Sequence, residues 1–305
     1  MTTFVDDFAA HLRAQDRSPH TVTAYTGDVA AFFAWLETAL GSPTPPAQVT
    51  TFDVQKYRDH LVAGDRKPAS LNRALASLRT FFTWAVQAGH ATTNPAREVN
   101  GIKQDPRTPK ALTAQEVYRV QRQAAVQRQL ARIKAGDEIT PTLVDAVRDE
   151  ALVNLLLYTG LRISECAALR VADVDLGDKD GTVVVRSGKG RKYREIPLHK
   201  EARKAVEGYL ALRPTDQGEA LFVGQRGSLG VRGIRFRITA LGQAAGVDKL
   251  TPHVLRHTFG SRLLREAKAD LVTVAALMGH ASVATTAIYT QPTEADKAAA
   301  VAGLK

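Results

Sequence analysis

Apolar residues recur at intervals of three and four along the first hundred residues, and this spacing predicts a bundle of helices. One such run begins near Pro68, and its apolar face is formed by Leu71, Leu75, Leu78, Phe81 and Phe82. Residues 22–36 repeat the pattern after Ser18-Pro19, and residues 52–61 repeat it after Thr50/Thr51, each of which suits a helix N-cap. Strands would alternate every two residues, so an all-helical N-terminal part with its own core is expected.

A polar segment near residue 105 separates this bundle from the rest of the chain. Residues 100–110 hold two prolines and no apolar period, which predicts a linker. We place one domain over residues 1–105 and a second over 106–305, since 305 residues suit two domains of roughly 150. The expected fold is mainly α with a small β-sheet: a helical N-terminal domain followed by a mixed α/β domain.

The second domain shows helical signals around one predicted β-hairpin. Thr113 and Glu116 form a capping box, which starts a helix that extends into residues 121–140 and breaks at Gly136. A strongly apolar helix is expected over 151–157, and helices resume at Thr251-Pro252 and continue almost to the end. The hairpin pairs residues 182–186 with 193–198 through an unusually basic turn.

Charge indicates a polyanionic partner. The chain has 41 Lys+Arg against 31 Asp+Glu, a net charge of +10, with most of the excess after residue 107. Such a balance suits nucleic acid, whose phosphates attract Lys and Arg. No apolar run reaches the ~20 residues of a membrane span, and the N-terminus lacks a signal-peptide pattern. With one cysteine and so no internal disulfide, we expect a cytoplasmic protein without membrane contact.

Four segments of the second domain carry candidate chemistry, and each has an ordinary explanation when taken alone. Arg162 and Glu165 suit a structural ion pair, and Lys189 lies between two glycines as a solvated turn residue would. His280 could be a packing histidine and Tyr289 a half-buried aromatic residue. It is the combination of these residues, in this order along the chain, that indicates a shared chemistry.

Metal and nucleotide chemistry are not predicted. His253 and His257 stand four residues apart, as metal-binding histidines do, but no acidic or cysteine ligand is nearby. The basic turn lacks the spacing of a phosphate-binding P-loop. We therefore expect neither a metal nor another cofactor, and no use of ATP.

Together, two arginines, a lysine, two histidines and a tyrosine meet the needs of phosphodiester transfer without a metal. Arginines neutralise the oxygens of a pentacoordinate phosphorus, and a lysine can protonate the leaving 5′ oxygen. Histidines donate to the phosphate or handle the tyrosine proton. Tyrosine as nucleophile conserves the energy of the broken bond in a reversible phosphoester.

These motifs resemble those of the tyrosine recombinases of the phage integrase family, and most of all the bacterial Xer recombinases. The matching segments, in family order, are Thr-Gly-Leu-Arg-Ile-Ser-Glu (159–165), Gly-Lys-Gly (188–190), His-Val-Leu-Arg-His (253–257), Met-Gly-His (278–280) and Ile-Tyr-Thr (288–290). The resemblance spans nearly the whole chain and implies a SAM-like core-binding domain followed by the catalytic domain.

The resemblance also implies a role for each motif residue. Tyr289 would be the nucleophile of a 3′-phosphotyrosyl link. Arg162 and Arg256 would clamp the scissile phosphate, and His280 would donate a further hydrogen bond to it. Lys189 would be the general acid, and His253 would contact the phosphate or handle the proton of the tyrosine. Glu165 would support Arg162. We expect His257 to lie on another helical face and to be structural.

Double-stranded DNA is the implied partner, bound by two domains that clamp the duplex. The candidate DNA contacts are Arg73 and Arg79, on the helix that begins near Pro68, and Arg191 and Lys192 in the basic turn. The polar face of that helix also suits an ordinary solvated surface. Strand exchange would need a tetramer on synapsed DNA, either of one chain or with a second recombinase, with the residues after Tyr289 docked on a neighbour.

Several alternatives stay open from the sequence. The same residues suit a DNA-relaxing enzyme like the type IB topoisomerases, while a DNA-binding relative without catalysis would be free to lose some of them. A thiol nucleophile at Cys166 is conceivable, but a small core residue is favoured. Residues 121–148 form a segment roughly a dozen residues longer than in typical Xer proteins, so chromosome-dimer resolution, integration and plasmid resolution all stay open.

Overall fold

The computed structural model describes residues 2–103, 111–178, 180–186, 193–280 and 286. Packing divides the chain into two compact units, Met1–Arg107 and Thr108–Lys305. The division lies inside the segment predicted as a linker, 100–110. Among the described residues no helix is long and apolar enough to cross a membrane.

The N-terminal unit is built from four helices over its described residues. They are α1 (Thr2–Ala14), α2 (Pro19–Leu40), α3 (Thr51–Ala63) and α4 (Pro68–Gln87), with a 3-10 turn at Pro46–Gln48. Ser18 caps α2 by accepting a hydrogen bond from the Thr21 amide at 3.1 Å. Thr50 and Asp53 form a reciprocal capping box at the start of α3. The starts that the sequence predicted for these two helices are confirmed.

Interlocked phenylalanines form the core of this unit. Phe8, Phe32, Phe81 and Phe82 are fully buried. Phe8 meets Phe81 edge to face at 5.3 Å between ring centroids, and Phe33 meets Phe81 at 5.5 Å. Each buried ring contributes about 1.5–3 kcal/mol of apolar transfer free energy. The apolar face predicted for α4 is therefore its core face.

The C-terminal unit, in the part that the structure describes, combines seven further helices with two small antiparallel sheets. In chain order its elements are α5 (Ala114–Ala135), α6 (Pro141–Thr159), α7 (Ile163–Ala168), β1 (Val174–Asp175), β2 (Thr182–Arg186), β3 (Tyr193–Pro197), α8 (Lys200–Leu210), β4 (Val223–Gly224), β5 (Gly227–Ser228), α9 (Val231–Ala244), α10 (Pro252–Arg265) and α11 (Leu271–Met278). The larger sheet has the order β1-β2-β3. In the predicted hairpin, Val183 pairs with Ile196 and Val185 with Arg194.

Helix α6 is the centre of this unit and leads into the candidate site. All seven residues 151–157 are buried, and α5, α8, α9 and α10 pack against this helix. The helix ends at Gly160, whose left-handed φ of 60° lets the chain turn sharply. Arg162 then precedes the short helix α7. Helix α5 runs without interruption to Ala135 and ends at Gly136, as the sequence predicted for its break.

Candidate active site

Arg162 and Glu165 form the ion pair that the sequence predicted. Arg162 lies at the N-cap of α7, and its Nη1 donates to Glu165 Oε1 at 2.8 Å. The carboxylate also accepts from the Arg162 backbone amide, with 2.8 Å between N and Oε2. Glu165 thereby fixes both the main chain and the side chain of Arg162.

A second arginine holds the same carboxylate, and the sequence analysis missed it. Arg194 on β3 donates to Glu165 through Nη1 at 3.1 Å and through Nη2 at 2.7 Å. In the strand, Arg194 alternates with exposed neighbours and lies on the same face as the buried Ile196. An arginine at an inward position of a short strand was the signal that could have revealed it.

Three arginines donate to three successive carbonyls at the end of α11. Arg194 Nε bonds Leu277 O at 3.0 Å, Arg256 Nη2 bonds Met278 O at 2.7 Å, and Arg162 Nη2 bonds Gly279 O at 2.7 Å. The last carbonyls of a helix lack partners within the helix and carry partial negative charge, so they attract cations. The two arginines predicted as a phosphate clamp thus meet beside the residue that precedes His280.

Arg256 is the most deeply placed of these cations. It comes from α10, is 6% exposed, and its Nη1 donates to Gly160 O at 2.5 Å. That carbonyl lies two residues before Arg162, so one side chain ties together the ends of α6 and α11. The C-terminal unit therefore brings residues from distant parts of its sequence into one cluster.

His280 follows this cluster directly. Its Nδ1 lies 2.8 Å from the hydroxyl oxygen of Thr286, which is fully buried. Burial, with the positive charges of Arg256, Arg162 and Arg194, lowers the pKa of His280 to about 4. The imidazole is therefore neutral at pH 7.

His253 and His257 are in contact, which corrects one expectation. Their Nε2 atoms lie 2.8 Å apart on α10, and their rings stand nearly perpendicular. The sequence analysis placed His257 on another helical face, and this was wrong, because residues four apart share a face. Burial, followed by the charges of His253, Arg256 and His280, lowers the pKa of His257 to about 4.

The cluster carries a surplus of positive charge in its described contacts. Arg162, Arg194 and Arg256 supply three positive charges, and Glu165 supplies one negative charge. Burial opposes the ionisation of Glu165, but its hydrogen bonds with Arg194 and with the Arg162 amide hold its pKa below the usual value. It therefore stays charged at neutral pH, and the net positive charge of these four side chains suits a phosphate.

Four predicted site residues of the second domain lie outside the described residues: Lys189, Arg191, Lys192 and Tyr289. No group of three potential metal ligands occurs among the His, Cys, Asp and Glu residues that the structure describes.

The two candidate DNA contacts of the N-terminal unit are held by its own atoms. Arg73 pairs with Asp28 through Nε and Nη2, both at 2.9 Å, and Arg79 donates to the carbonyls of Ala96 and Val99. Their role in binding DNA stays a prediction.

Two family models match the chain. That of the phage integrase family matches residues 126–296, and that of the phage integrase N-terminal SAM-like domain matches residues 5–89. The first match covers the whole cluster around Glu165, and the second covers α2, α3, α4 and most of α1.

Curated relatives carry the name tyrosine recombinase XerC. The protein from Pseudomonas savastanoi pv. phaseolicola (strain 1448A / Race 6) is 34% identical over 297 residues, which are 95% of this chain and 91% of the relative. The protein from Pseudomonas syringae pv. syringae (strain B728a) is 45% identical over 148 residues, 48% of each chain. In alignments of this second kind the chain spans about half the length of the relatives it matches.

Solved structures share the fold. XerH site-specific recombinase bound to palindromic difH substrate, in a post-cleavage complex, is 19% identical with a TM-score of 0.76, covering 95% of this chain and 81% of that one. A lambda integrase (75–356) dimer bound to a COC′ core site is 19% identical with a TM-score of 0.69, covering 93% and 96%. The predicted fold class, a helical SAM-like part and a mixed α/β part, is confirmed.

Proposed function

The chain belongs to the phage integrase family of tyrosine recombinases, and we propose that it cuts and rejoins duplex DNA at a specific site through a phosphotyrosyl intermediate. The observation that carries this proposal is the meeting of Arg162, Arg256 and His280 around the end of α11. Such a cluster of cations and a neutral imidazole suits a phosphate whose charge grows during the reaction.

In the proposed reaction the Tyr289 oxygen attacks phosphorus and forms a 3′-phosphotyrosyl bond. The bond from phosphorus to the 5′ oxygen breaks, and that oxygen takes a proton from Lys189, while His253 handles the proton of the tyrosine. A 5′-hydroxyl then attacks the phosphotyrosine and releases Tyr289. The number of phosphoester bonds is unchanged at each step, so no ATP is required.

The described contacts support distinct roles for the two arginines and for His280. Glu165 orients Arg162, and the carbonyls of Gly160 and Met278 orient Arg256, so both guanidinium groups are in position before the phosphate arrives. We propose that the Thr286 hydroxyl donates to Nδ1 of the neutral His280, so that the ring carries its proton on Nε2 and donates it to the phosphate.

Duplex DNA is the proposed partner, and the net charge of +10 agrees with it. Relatives of the same fold were solved on DNA, one of them as a dimer. We propose a tetramer on two synapsed sites, made of this chain alone or together with a second recombinase, acting in the cytoplasm. Arg73, Arg79, Arg191 and Lys192 remain the predicted DNA contacts.

Covalent trapping in cells tests this function and needs no assumption about the target sequence. Tagged protein would be purified from bacteria under denaturing conditions, and the DNA attached to it would be sequenced. We expect wild type to carry DNA sharing one recurrent sequence, Tyr289→Phe to carry none, and Tyr118→Phe, at an exposed tyrosine of α5, to behave as wild type. Equal adducts with Tyr289→Phe, or none with wild type, would refute the proposal.

A further inference from the structure

Glu165 lies between two guanidinium groups that differ in their surroundings. The side chain of Glu165 is 12% exposed and that of Arg194 15%, whereas that of Arg162 is 42% exposed. Arg194 engages both carboxylate oxygens, while the guanidinium of Arg162 engages one. The more buried arginine is therefore the main charge partner of Glu165, and the other is the more open to solvent.

This division of contacts matters for charge. A carboxylate paired with Arg162 alone would orient that guanidinium but also neutralise most of its charge, since two opposite charges in contact attract strongly when partly buried. With Arg194 on the same carboxylate, the three side chains together keep a net charge of +1. Arg162 can then be held firmly and still present its charge to a phosphate.

Arg194 also joins separate parts of the unit. It is the second residue of β3, and its Nε donates to Leu277 O at the end of α11. Its guanidinium packs so closely on Gly279 that a Cβ added there would lie 2.6 Å from Nη1. A shift of Arg194 would therefore be felt at both Glu165 and the backbone before His280.

We propose that Arg194 is a positioning residue of the active site, which neutralises Glu165 so that Arg162 is oriented by the carboxylate yet keeps its positive charge for the scissile phosphate. The inference rests on the proposed function. Arg194 itself need not touch DNA, because it acts through Glu165 and Arg162.

A charge-compensation experiment tests the inference. The probe is a nicked duplex carrying the sequence recovered from wild-type adducts in cells, and the readout is the first-order rate of adduct formation at saturating DNA. Arg194→Gln should slow cleavage by about 10-fold, less than the ~10² expected for a group that contacts the phosphate. DNA affinity should change by no more than about 3-fold. Adding Glu165→Gln should restore at least about 3-fold of the lost rate, because the glutamine oxygen still accepts hydrogen bonds but carries no charge.

The same unit supplies a matched control. Asp149 also lies between two arginines, bonding Arg148 Nη2 at 2.9 Å and Arg237 Nε at 2.7 Å. Arg237→Gln breaks a comparable pair away from the cluster, and it should leave the rate within about 2-fold of wild type. Circular dichroism of every variant would verify folding, and Arg194→Lys, which keeps the charge, should retain a rate within about 3-fold.

Three results would overturn the inference. They are a wild-type rate for Arg194→Gln, a double variant as slow as Arg194→Gln, and an Arg194→Lys variant as slow as Arg194→Gln while folded. The second result would assign Arg194 to packing alone. If wild type forms no adduct, the proposed function fails first, so the two failures are distinguishable.

Discussion

The Nε2 atoms of His253 and His257 lie 2.8 Å apart, with 82° between the ring planes. Only one of the two facing nitrogens can carry a proton at this distance, so the hydrogen bond couples the protonation of the two rings. Because the pKa of His257 is lowered to about 4, His257 is uncharged at neutral pH.

Stability should fall as the pH is lowered. The unfolded chain takes up a proton at His257 near pH 6.5 and the folded chain only near pH 4, so the unfolded state binds more protons between these values. Burial of this side chain is partial, so after allowance for solvent screening we expect a loss of roughly 1 kcal/mol between pH 7 and pH 5. Urea unfolding at several pH values measures it. His257→Asn should reduce the slope without abolishing it, because the pKa of His280 is also lowered to about 4. An unchanged slope in that variant would contradict a contribution from His257.

Thr286 should matter through its hydroxyl group. The residue is fully buried, and its hydroxyl oxygen lies 2.8 Å from Nδ1 of His280, three residues before Tyr289 in sequence. Thr286→Val keeps the shape and removes the hydrogen bond, so we expect about a 10-fold slower cleavage, whereas Thr286→Ser should stay near wild type. Single-turnover cleavage of a nicked duplex distinguishes the two. Equal rates for Ser and Val would exclude a role for the hydroxyl.

Loss of Arg162 should reduce the rate of DNA cleavage far more than the affinity for duplex DNA. Loss of a cation that stabilises the transition state typically costs about 10²-fold or more, so Arg162→Ala should slow cleavage by at least that factor. Affinity for the duplex, measured by fluorescence anisotropy, should change far less, because under the proposed function other cations also contact phosphates. Near-normal cleavage by this variant would remove Arg162 from the proposed mechanism.

The thiol of Cys166 should be unreactive in the folded protein. It is fully buried, and burial together with the neighbouring charge of Glu165 raises the pKa of its thiol to about 12. Iodoacetamide at pH 8 should leave the folded protein unmodified and label it only in denaturant, as mass spectrometry would show. Cys166→Ala should still form the covalent adduct. Failure of Cys166→Ala to form the adduct would instead support a thiol nucleophile.

Gly160 should tolerate no side chain. Its φ is 60°, and a Cβ would lie 2.3 Å from the Phe259 ring. Gly160→Ala should cost at least about 2 kcal/mol of unfolding free energy, since backbone strain and overpacking act together. Gly208 in α8 has open space around it, so Gly208→Ala should stabilise by about 0.5–1 kcal/mol. Denaturant unfolding measures the free energy of unfolding of both variants. Similar values for Gly160→Ala and Gly208→Ala would contradict the steric restriction at Gly160.

The parts predicted correctly depend on neighbours in sequence. The apolar period of α4 and the capping box of Thr113 with Glu116 involve residues up to four apart, and both appear as expected. The ion pair of Arg162 with Glu165 is of the same kind. Local spacing brings such residues within reach of each other.

The parts that were missed depend on distant residues. Arg194 bonds Glu165, 29 positions earlier, and Leu277, 83 positions later. Strand alternation tells which side Arg194 faces but not what it meets there. Arg73 similarly finds Asp28 across the bundle, which no helical period of α4 reveals. His257 is different, since its spacing was visible and the helical face was misjudged.

The three carbonyls at the end of α11 anchor three arginines at once, and this has a consequence for damaged copies of the protein. A chain that loses this helix end, by truncation or by local melting, loses one hydrogen bond at each of Arg162 and Arg256 in the same event, while Glu165 and Gly160 O still hold them. Under the proposed function, both side chains act in strand cutting and in strand rejoining. We therefore expect such a chain to be slowed in both steps together, rather than to cut DNA without rejoining it.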